Sequence, residues 1–156
     1  MKVLHKKNNE LNDGEIESLF ALHLNSVISY SNTYGNLKTS EYKDKWKRYV
    51  KETENLICTA AILNGYLIGF SLMVLDDDEN YISDFYIAQK HQNDGQTFRF
   101  LIENTFKVAN PNKIFSGRIW SENKDAQNTF LKIGATFKEG KYYATYEKIK
   151  EWVLNK

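Results

Sequence analysis

The stretch "YIAQKHQNDGQTFRFLIENTF", residues Tyr86–Phe106, joins two elements of different kinds. It begins as the end of an apolar strand, and its later residues predict a helix from Gln96 with one apolar stripe of Phe98, Leu101, Ile102 and Phe106. Between them lies a polar run with one glycine, Gly95. A helix N-terminus presents unpaired backbone N–H groups and the positive end of the helix dipole, so the junction suits a phosphate. The same pattern also describes an ordinary strand-to-helix connection.

Composition limits the classes of protein that this chain can represent. Its 156 residues, 42 % hydrophobic and 26 % charged, suit one globular domain spanning 1–156. A net charge of +1 gives no electrostatic case for a nucleic-acid partner. No run of about 18 apolar residues suggests a membrane partner, and the first residues lack a signal-peptide core, so we expect a cytoplasmic protein. The single cysteine, Cys58, is interpreted as a core residue, and the acidic run "DDDEN" lacks the spacing of a calcium loop, so no metal is expected.

Working outward from the opening stretch, the periodicity predicts the order β-α-α-β-β-β-α-β-α-β-β. The first helix is capped by Asn12 or Asp13, and the second begins at Thr39 or Ser40, with Glu41–Lys45 and Asp44–Arg48 pairs on its solvated face. Asn64-Gly65 and Glu139-Gly140 predict the turns of two β-hairpins. The fold class is therefore α+β (also described as α/β), with one sheet and flanking helices.

Two motifs carry a resemblance to a known family. The loop "QNDGQT", Gln92–Thr97, resembles the acetyl-CoA pyrophosphate loop of the GCN5-related N-acetyltransferase (GNAT) family, Gln/Arg-x-x-Gly-x-Gly/Ala, and departs from it at Thr97. The segment "NKDAQNTFLKIG", Asn123–Gly134, is similar to the family's Asn-x-x-Ala-x-x-x-Tyr-x-x-x-Gly, with Phe130 in place of the tyrosine. The strand "ISDFYI" is similar to that of the diamine/polyamine acetyltransferase branch.

The resemblance implies the GNAT fold, a mixed, mostly antiparallel sheet of six to seven strands flanked by about four helices. It implies acetyl-CoA as co-substrate and transfer of its acetyl group by direct attack of a primary amine, on a polyamine-like small molecule or a peptide. It also implies a homodimer as one state of the protein. The implied cofactor-binding residues lie on the strand end, the loop and the second motif: Phe85, Tyr86, Ile87, Gln92, Asn93, Asp94, Gly95, Gln96, Thr97, Phe98, Asn123 and Phe130.

The resemblance implies catalytic roles as well. The backbone N–H near Phe85 would polarise the thioester carbonyl. The branch's glutamate base is replaced by Ser83, and Phe130 cannot act as the thiol acid. Asp84, Glu79 or Tyr81 could then act as base through water, and Tyr142 or Tyr143 as acid; alternatively, an acceptor of low pKa needs no strong base. A CoA-binding regulatory or interaction module with little transferase activity, or a domain that binds no CoA, remain as alternatives.

The acceptor is expected between the loop "YSNTYGNLKT" and the Glu139-Gly140 hairpin. Aromatic residues would line this site, and three acidic residues would attract a cationic amine: Tyr30, Tyr34, Tyr142 and Tyr143, and Glu79, Asp84 and Glu139. Trp120 is interpreted equally as a cleft or a core residue. The three histidines show no ligand spacing and are assigned no role, with His91 expected to pack in its loop.

Overall fold

The computed structural model describes residues 1–30, 39–119, 121 and 123–155. Seven strands form one sheet: β1 (Lys2–Lys7), β2 (Leu56–Leu63), β3 (Tyr66–Leu75), β4 (Glu79–Ile87), β5 (Ile114–Gly117), β6 (Thr136–Lys138) and β7 (Lys141–Ala144). In the described part of the chain there are five α-helices: α1 (Asp13–Tyr30), α2 (Thr39–Glu52), α3 (Gln96–Lys107), α4 (Lys124–Ile133) and α5 (Tyr146–Leu154). None of the helices so described is long and apolar enough to cross a membrane.

The strand order is β1-β2-β3-β4-β5-β7-β6. All neighbours pair antiparallel except β4 and β5, which run parallel because α3 carries the chain back between them. This mixed, mostly antiparallel sheet with flanking helices confirms the predicted fold class.

Each face of the sheet carries its own core. On one face α1 and α2 pack against β2 and β3, and Trp46 meets the buried ring of Phe70 with centroids 6.3 Å apart. On the other face α3 lies across β2 and β3, where the hydroxyls of Ser71 and Thr105 form a buried hydrogen bond of 2.6 Å. The sheet therefore separates two chemically different sides.

Both predicted hairpin turns are present. Asn64 and Gly65 have φ of 52° and 82°, and Glu139 and Gly140 have φ of 52° and 81°. Two successive residues of positive φ define the type I′ turn, whose twist matches that of the flanking strands. The Asn-Gly signal in the sequence was therefore sufficient for the first hairpin.

Two features of the helices differ from expectation. The C-terminal segment forms α5, a helix absent from the predicted element order, and the Thr145 hydroxyl caps it by accepting from the Lys148 N–H at 3.2 Å. Lysines of α2 also bind across to α1: Lys51 pairs with Asp13 at 2.9 Å, and Lys43 with Glu17 at 2.7 Å. Antiparallel packing of the two helices brings these opposite charges together. At the start of α1, Asn12 is the cap, accepting from the Glu15 N–H at 2.8 Å.

Candidate active site

A cleft opens in the sheet where β4 and β5 diverge. Their parallel register runs only from Glu79 opposite Ile114 to Ile82 opposite Gly117, whereas β4 continues to Ile87. A cavity of ≈ 250 Å³ fills the space between the two strands. Backbone groups of the last residues of β4 can therefore face a ligand on the side where a neighbouring strand would pair.

A β-bulge lies at the point of divergence. Leu72 of β3 pairs with Asp84 and Met73 pairs with Ile82, so Ser83 is the extra residue on β4. Bulges increase local twist and redirect side chains, and they are frequent beside active sites. Here the bulge places Asp84 against α1 and α2, and Phe85 against α3.

The structure brings most of the predicted site residues together around this cleft. They line its walls from the end of β4, the loop before α3, the helices α3 and α4, and β7: Asp84, Phe85, Tyr86, Ile87, Gln92, Asn93, Phe98, Asn123, Phe130 and Tyr142. The remaining predicted residues, 94–97, form the turn that leads into α3, beside Asn93 at one end of the cleft.

The turn into α3 has the predicted backbone but an unexpected occupant. Gly95 has φ of 69°, and a Cβ added there would meet nothing within 4 Å, so the main chain is open to a ligand. The Asp94 carboxylate accepts hydrogen bonds from the N–H groups of Gln96 at 3.0 Å and Thr97 at 3.1 Å. These bonds hold the pKa of Asp94 below its usual value. The expectation that both N–H groups are open to a pyrophosphate is therefore wrong for this conformation.

Two predicted CoA-binding side chains also make internal hydrogen bonds. The Gln92 amide donates to the carbonyl of Ile87 at 2.9 Å, which ties the loop to the end of β4. The Asn123 side chain accepts from the Ala126 N–H at 3.1 Å and caps α4. Both residues line the cleft, and a carbonyl has a second lone pair, so these bonds leave the two residues able to contact a ligand.

One wall of the cleft is aromatic. Phe85, Phe98 and Phe130 lie with their ring centroids 5.5–6.0 Å apart in tilted and edge-to-face contacts. Trp152 of α5 extends the cluster at 5.9 Å from Phe98, and Arg99 stacks on Trp152 at 4.5 Å. The wall therefore offers apolar contact, and Phe130 contributes a ring without a hydroxyl at the motif's tyrosine position.

The opposite side of β4 holds a buried carboxyl. Asp84 is 7 % exposed, and it accepts from the Ser83 hydroxyl at 2.9 Å and from the Trp46 indole N–H at 3.4 Å. His23 Nδ1 lies 3.4 Å from the same carboxyl. Burial raises the pKa of Asp84 to about 6, with the bonds from Ser83 and Trp46 opposing the shift. A carboxyl with a pKa near neutrality can accept and release a proton at physiological pH.

Sequence reasoning missed His23, although a signal was present. His23 falls seven residues after Ile16 and four after Leu19, which places it on the buried stripe of α1. A histidine on an apolar stripe is a buried polar group that needs a partner.

The acidic residues expected to attract a cation are less available than predicted. Glu79 forms an ion pair with Lys141 at 2.8 Å, which lowers the pKa of Glu79 and neutralises its charge locally. The Lys141 ammonium also lies 5.1 Å from the centroid of Tyr81. Tyr143 and Arg118 line the cleft, whereas Glu79 and Lys141 are not among its lining residues. Glu79 is therefore already paired with a cation of the protein, and its attraction of a cationic amine stays a prediction.

Several other candidates can be placed or set aside. Cys58 is buried in the core, where burial raises the pKa of its thiol to about 12, so it is no thiolate nucleophile at neutral pH.

His91 lies 3.7 Å from Asp94 in the loop, in agreement with its expected packing there. The side chain of Tyr30, and residues Tyr34 and Trp120, lie outside the described part of the structure. Within the described residues, no group of three or more histidine, cysteine or acidic side chains is placed to hold a metal ion.

No protein-family model and no curated protein sequence matches this chain. Solved structures do match it. An acetyltransferase from Thermus thermophilus is similar with a TM-score of 0.69 and 15 % identity, covering 92 % of this chain and 97 % of the other. The PaiA N-acetyltransferase from Thermoplasma acidophilum, in complex with coenzyme A, gives 0.64 and 14 %, with coverages of 92 % and 97 %.

A third similar structure is the spermidine N-acetyltransferase from Vibrio cholerae in complex with CoA and spermine. Its TM-score is 0.61 at 15 % identity, covering 95 % of this chain and 98 % of the other. At such low identity these likenesses establish the fold alone. The chain has the fold of the GCN5-related N-acetyltransferases, as the two sequence motifs predicted.

Proposed function

We propose that this protein is an N-acetyltransferase that transfers the acetyl group of acetyl-CoA to a primary amine of a small molecule or peptide. The observation that carries the proposal is the cleft between β4 and β5, which joins the glycine turn at α3 to the buried Asp84. The bound CoA in two similar structures supports the choice of co-substrate.

The residues at the cleft fit acetyl-CoA in three respects. The turn at Gly95 leaves open space where a phosphate group would approach the main chain. The cleft beyond it is mostly apolar, as a pantetheine arm requires, and the side of β4 that faces away from β3 offers backbone hydrogen-bonding groups. The Asp94 carboxylate competes for two of the donors, but its side chain is 39 % exposed and can rotate into water.

Each residue then has a defined part in the reaction. Acetyl-CoA, when bound, supplies the activated acetyl group. Asp84 accepts the proton that an ammonium group must lose before it can attack, and its raised pKa suits that exchange. The backbone N–H of Phe85 is the proposed donor to the acetyl carbonyl oxygen. Tyr142, which lines the cleft, is a candidate proton donor to the sulfur, since Phe130 cannot donate.

The acceptor proposed here is a primary amine with an apolar or aromatic part. Tyr142 and Tyr143 line the cleft and offer flat, amphipathic contact surface. Spermine in one similar structure favours testing polyamines early. The Glu79–Lys141 ion pair argues against strong selection for polycations, so peptide amines belong in the same panel.

A thermal-shift and turnover experiment tests the proposal. Saturating acetyl-CoA should raise the melting temperature, and Gly95→Glu should remove that shift by placing a carboxylate in the phosphate site. Gly65→Glu is a matched control, because Gly65 also has positive φ, 82°, and open space around it but lies in the β2–β3 hairpin. Thiol release from acetyl-CoA is then measured with polyamines, aminoglycosides and peptides. No thermal shift at saturating acetyl-CoA would end the proposal.

A second function is favoured by specific observations. The Asp94 carboxylate at the α3 N-terminus and the phenyl ring of Phe130 both suit a module that uses the fold for regulation or interaction and transfers acetyl groups little. That function predicts a thermal shift without thiol release across the whole panel. Thiol release that depends on an added amine excludes it.

A further inference from the structure

His23 is held rigidly beside the cleft by aromatic rings. It is 3 % exposed, it stacks on Trp46 with centroids 5.0 Å apart and 21° between planes, and it stacks on Tyr42 at 5.5 Å and 18°. Tyr86 meets its edge at 4.8 Å. Three rings therefore fix the plane of the imidazole, and each of its nitrogens can meet only one neighbour.

The two ring nitrogens face different partners. Nε2 forms a short hydrogen bond with the Tyr42 hydroxyl, and Nδ1 faces Asp84 Oδ1 at 3.4 Å without a well-aligned hydrogen bond to any described residue. Burial lowers the pKa of His23 to about 4, so the ring is neutral and carries one proton. If Tyr42 donates to Nε2, that proton sits on Nδ1, the ring nitrogen that lies 3.4 Å from Asp84 Oδ1. The other tautomer would set a nitrogen lone pair against the carboxylate.

The contacts of Asp84 divide its two oxygens. Oδ1 faces the Trp46 N–H and His23 Nδ1, whereas Oδ2 accepts from Ser83, a residue of the cleft wall. We propose that His23 is a positioning residue for Asp84: its Nδ1–H, in a long polar contact of 3.4 Å with Oδ1, favours the ionised carboxylate and leaves Oδ2 for the proton of the amine acceptor. The proposal rests on the proposed acetyltransferase function for its kinetic consequence, but its effect on the Asp84 carboxyl exists in the free protein.

The proton step is balanced within the protein and the acceptor. An N–H bond of the acceptor's ammonium breaks, its electron pair stays on nitrogen, and an O–H bond forms at Oδ2. Asp84 becomes neutral while His23 keeps its single proton throughout. Asp84 then releases the proton to solvent through the cleft, so no further reactant is needed.

The groups packed around Asp84 identify what can titrate with it. They come from α1, α2 and β2: His23 lies against the carboxyl, and Tyr49 and Cys58 are close enough for its charge to act on them. Tyr42 and Tyr86 lie one contact further away, against His23, and Tyr81 lies near Tyr49. Burial raises the pKa of Tyr49 above its usual value and that of Cys58 to about 12, so both stay neutral near pH 7. Among the described residues, the hydrogen-bonding and charge partners found for the Asp84 carboxyl include no lysine or arginine. Its ionisation therefore depends on neutral groups: the Ser83 hydroxyl and the Trp46 N–H, which donate to it, and the His23 ring, which lies beside it.

His23→Leu and His23→Asn form the test. Leucine removes the Nδ1–H beside Oδ1, so the pKa of Asp84 should rise by about one unit. The lower apparent pKa in the pH profile of kcat/KM should rise by the same amount. Asparagine keeps an N–H near the Nδ1 position and should return this apparent pKa to within a few tenths of a unit of the wild-type value. His5→Leu is the matched control, since His5 hydrogen-bonds Thr59 on the far part of the sheet.

The carboxyl itself is followed by ¹³C NMR of labelled aspartate in the free protein, which needs no substrate. If His23→Leu does not fold, Trp46→Phe removes the other donor to Oδ1 while keeping an aromatic ring, and it should raise the same pKa. If the variants raise the pKa of Asp84 but the wild type shows no turnover, the positioning role is supported and the proposed transferase function is overturned. An Asp84 titration that is the same in the wild type, His23→Leu and Trp46→Phe overturns the inference, whatever the activity.

Discussion

The Asp94 carboxylate accepts a hydrogen bond from the Thr97 N–H at 3.1 Å, across the left-handed turn at Gly95. The same carboxylate accepts from the Gln96 N–H and the Thr97 hydroxyl. An anion supplied by the chain thus stands at the N-terminus of α3, where the helix dipole favours negative charge. A bound phosphate group and this side chain would compete for the same donors.

Removing the Asp94 carboxylate should therefore strengthen CoA binding. We expect Asp94→Ala to lower the Kd for CoA by roughly threefold to tenfold, because two N–H donors are released and a like charge is removed. Asp94→Asn keeps an acceptor oxygen but not the charge, so its gain should be smaller. Isothermal titration calorimetry at fixed ionic strength measures both.

Pantetheine provides the internal control for the Asp94 variants. It has no pyrophosphate, so its affinity should be the same in wild type and Asp94→Ala. Asp78→Ala removes an equal charge from the exposed β3–β4 turn and should leave both affinities unchanged. Equal gains for CoA and pantetheine would show that Asp94 acts on the cleft in general and not on the phosphate site.

The Glu79–Lys141 ion pair should govern the affinity for cationic acceptors. Lys141→Met leaves the Glu79 carboxylate without its partner, which lies 2.8 Å away, on the strand that leads to Asp84. The KM for a polyamine should fall by about twofold to fivefold, a range set by the modest strength of partly exposed ion pairs. The double variant Glu79→Gln/Lys141→Met should return KM toward the wild-type value. If KM stays low in the double variant, the loss of the lysine charge alone explains the effect, and the Glu79 carboxylate does not.

Restoring the motif's tyrosine should raise turnover. Phe130 lines the cleft beside Phe85, so Phe130→Tyr would place a phenol at the cleft without changing the ring contacts. If protonation of the leaving sulfur limits the rate, kcat should rise by about a hundredfold, the lower end of the range for one general acid. Phe100→Tyr on α3, outside the cleft wall, adds the same hydroxyl as a control. An unchanged kcat would show that the sulfur leaves without an acid.

Local sequence signals predicted most of the fold, because they act over a few residues. Asn64-Gly65 specified a turn by backbone geometry, and the stripe from Phe98 to Phe106 specified α3 by its period. The C-terminal helix was missed because its segment follows a hairpin strand without a break in polarity. Its stability comes partly from Arg99, whose guanidinium donates to the carbonyls of Val153 at 3.2 Å and Asn155 at 3.0 Å. A contact between residues more than fifty positions apart leaves no local pattern.

The candidate site was likewise predictable only where it depends on local sequence patterns. Motif spacing was enough to bring Phe85, Gln92, Asn123 and Phe130 to one cleft. The occupation of the α3 N–H groups by Asp94 depends on a side-chain rotamer, which residue type alone does not specify. The His23–Asp84 contact depends on the Ser83 bulge, which turns Asp84 toward α1. Both contacts involve charged or titratable groups, so the sequence predicted which residues line the cleft better than it predicted the electrostatics there.

The His23–Asp84 pair should make stability nearly independent of pH between about pH 4 and 6. Asp84 has a folded pKa of about 6 against 3.8 unfolded, so the folded state binds the extra proton and its stability falls as pH rises through this range. His23 has a folded pKa of about 4 against 6.5 unfolded, so the unfolded state binds the extra proton and stability rises over nearly the same range. Each term amounts to about 3 kcal/mol at 1.36 kcal/mol per unit, and the two have opposite signs.

Single variants should separate the opposite contributions of Asp84 and His23 to the pH dependence of the free energy of unfolding. In Asp84→Asn only the histidine term remains, so the free energy of unfolding should rise by about 3 kcal/mol from pH 4 to 6.5 relative to wild type. In His23→Asn only the carboxyl term remains, and the free energy of unfolding should fall by a similar amount from pH 4 to 6. Urea denaturation at half-unit steps of pH measures these slopes, and the double variant should be flat again. Slopes of the same sign in the two single variants would contradict the prediction, because burial shifts the pKa values of the carboxyl and the imidazole in opposite directions.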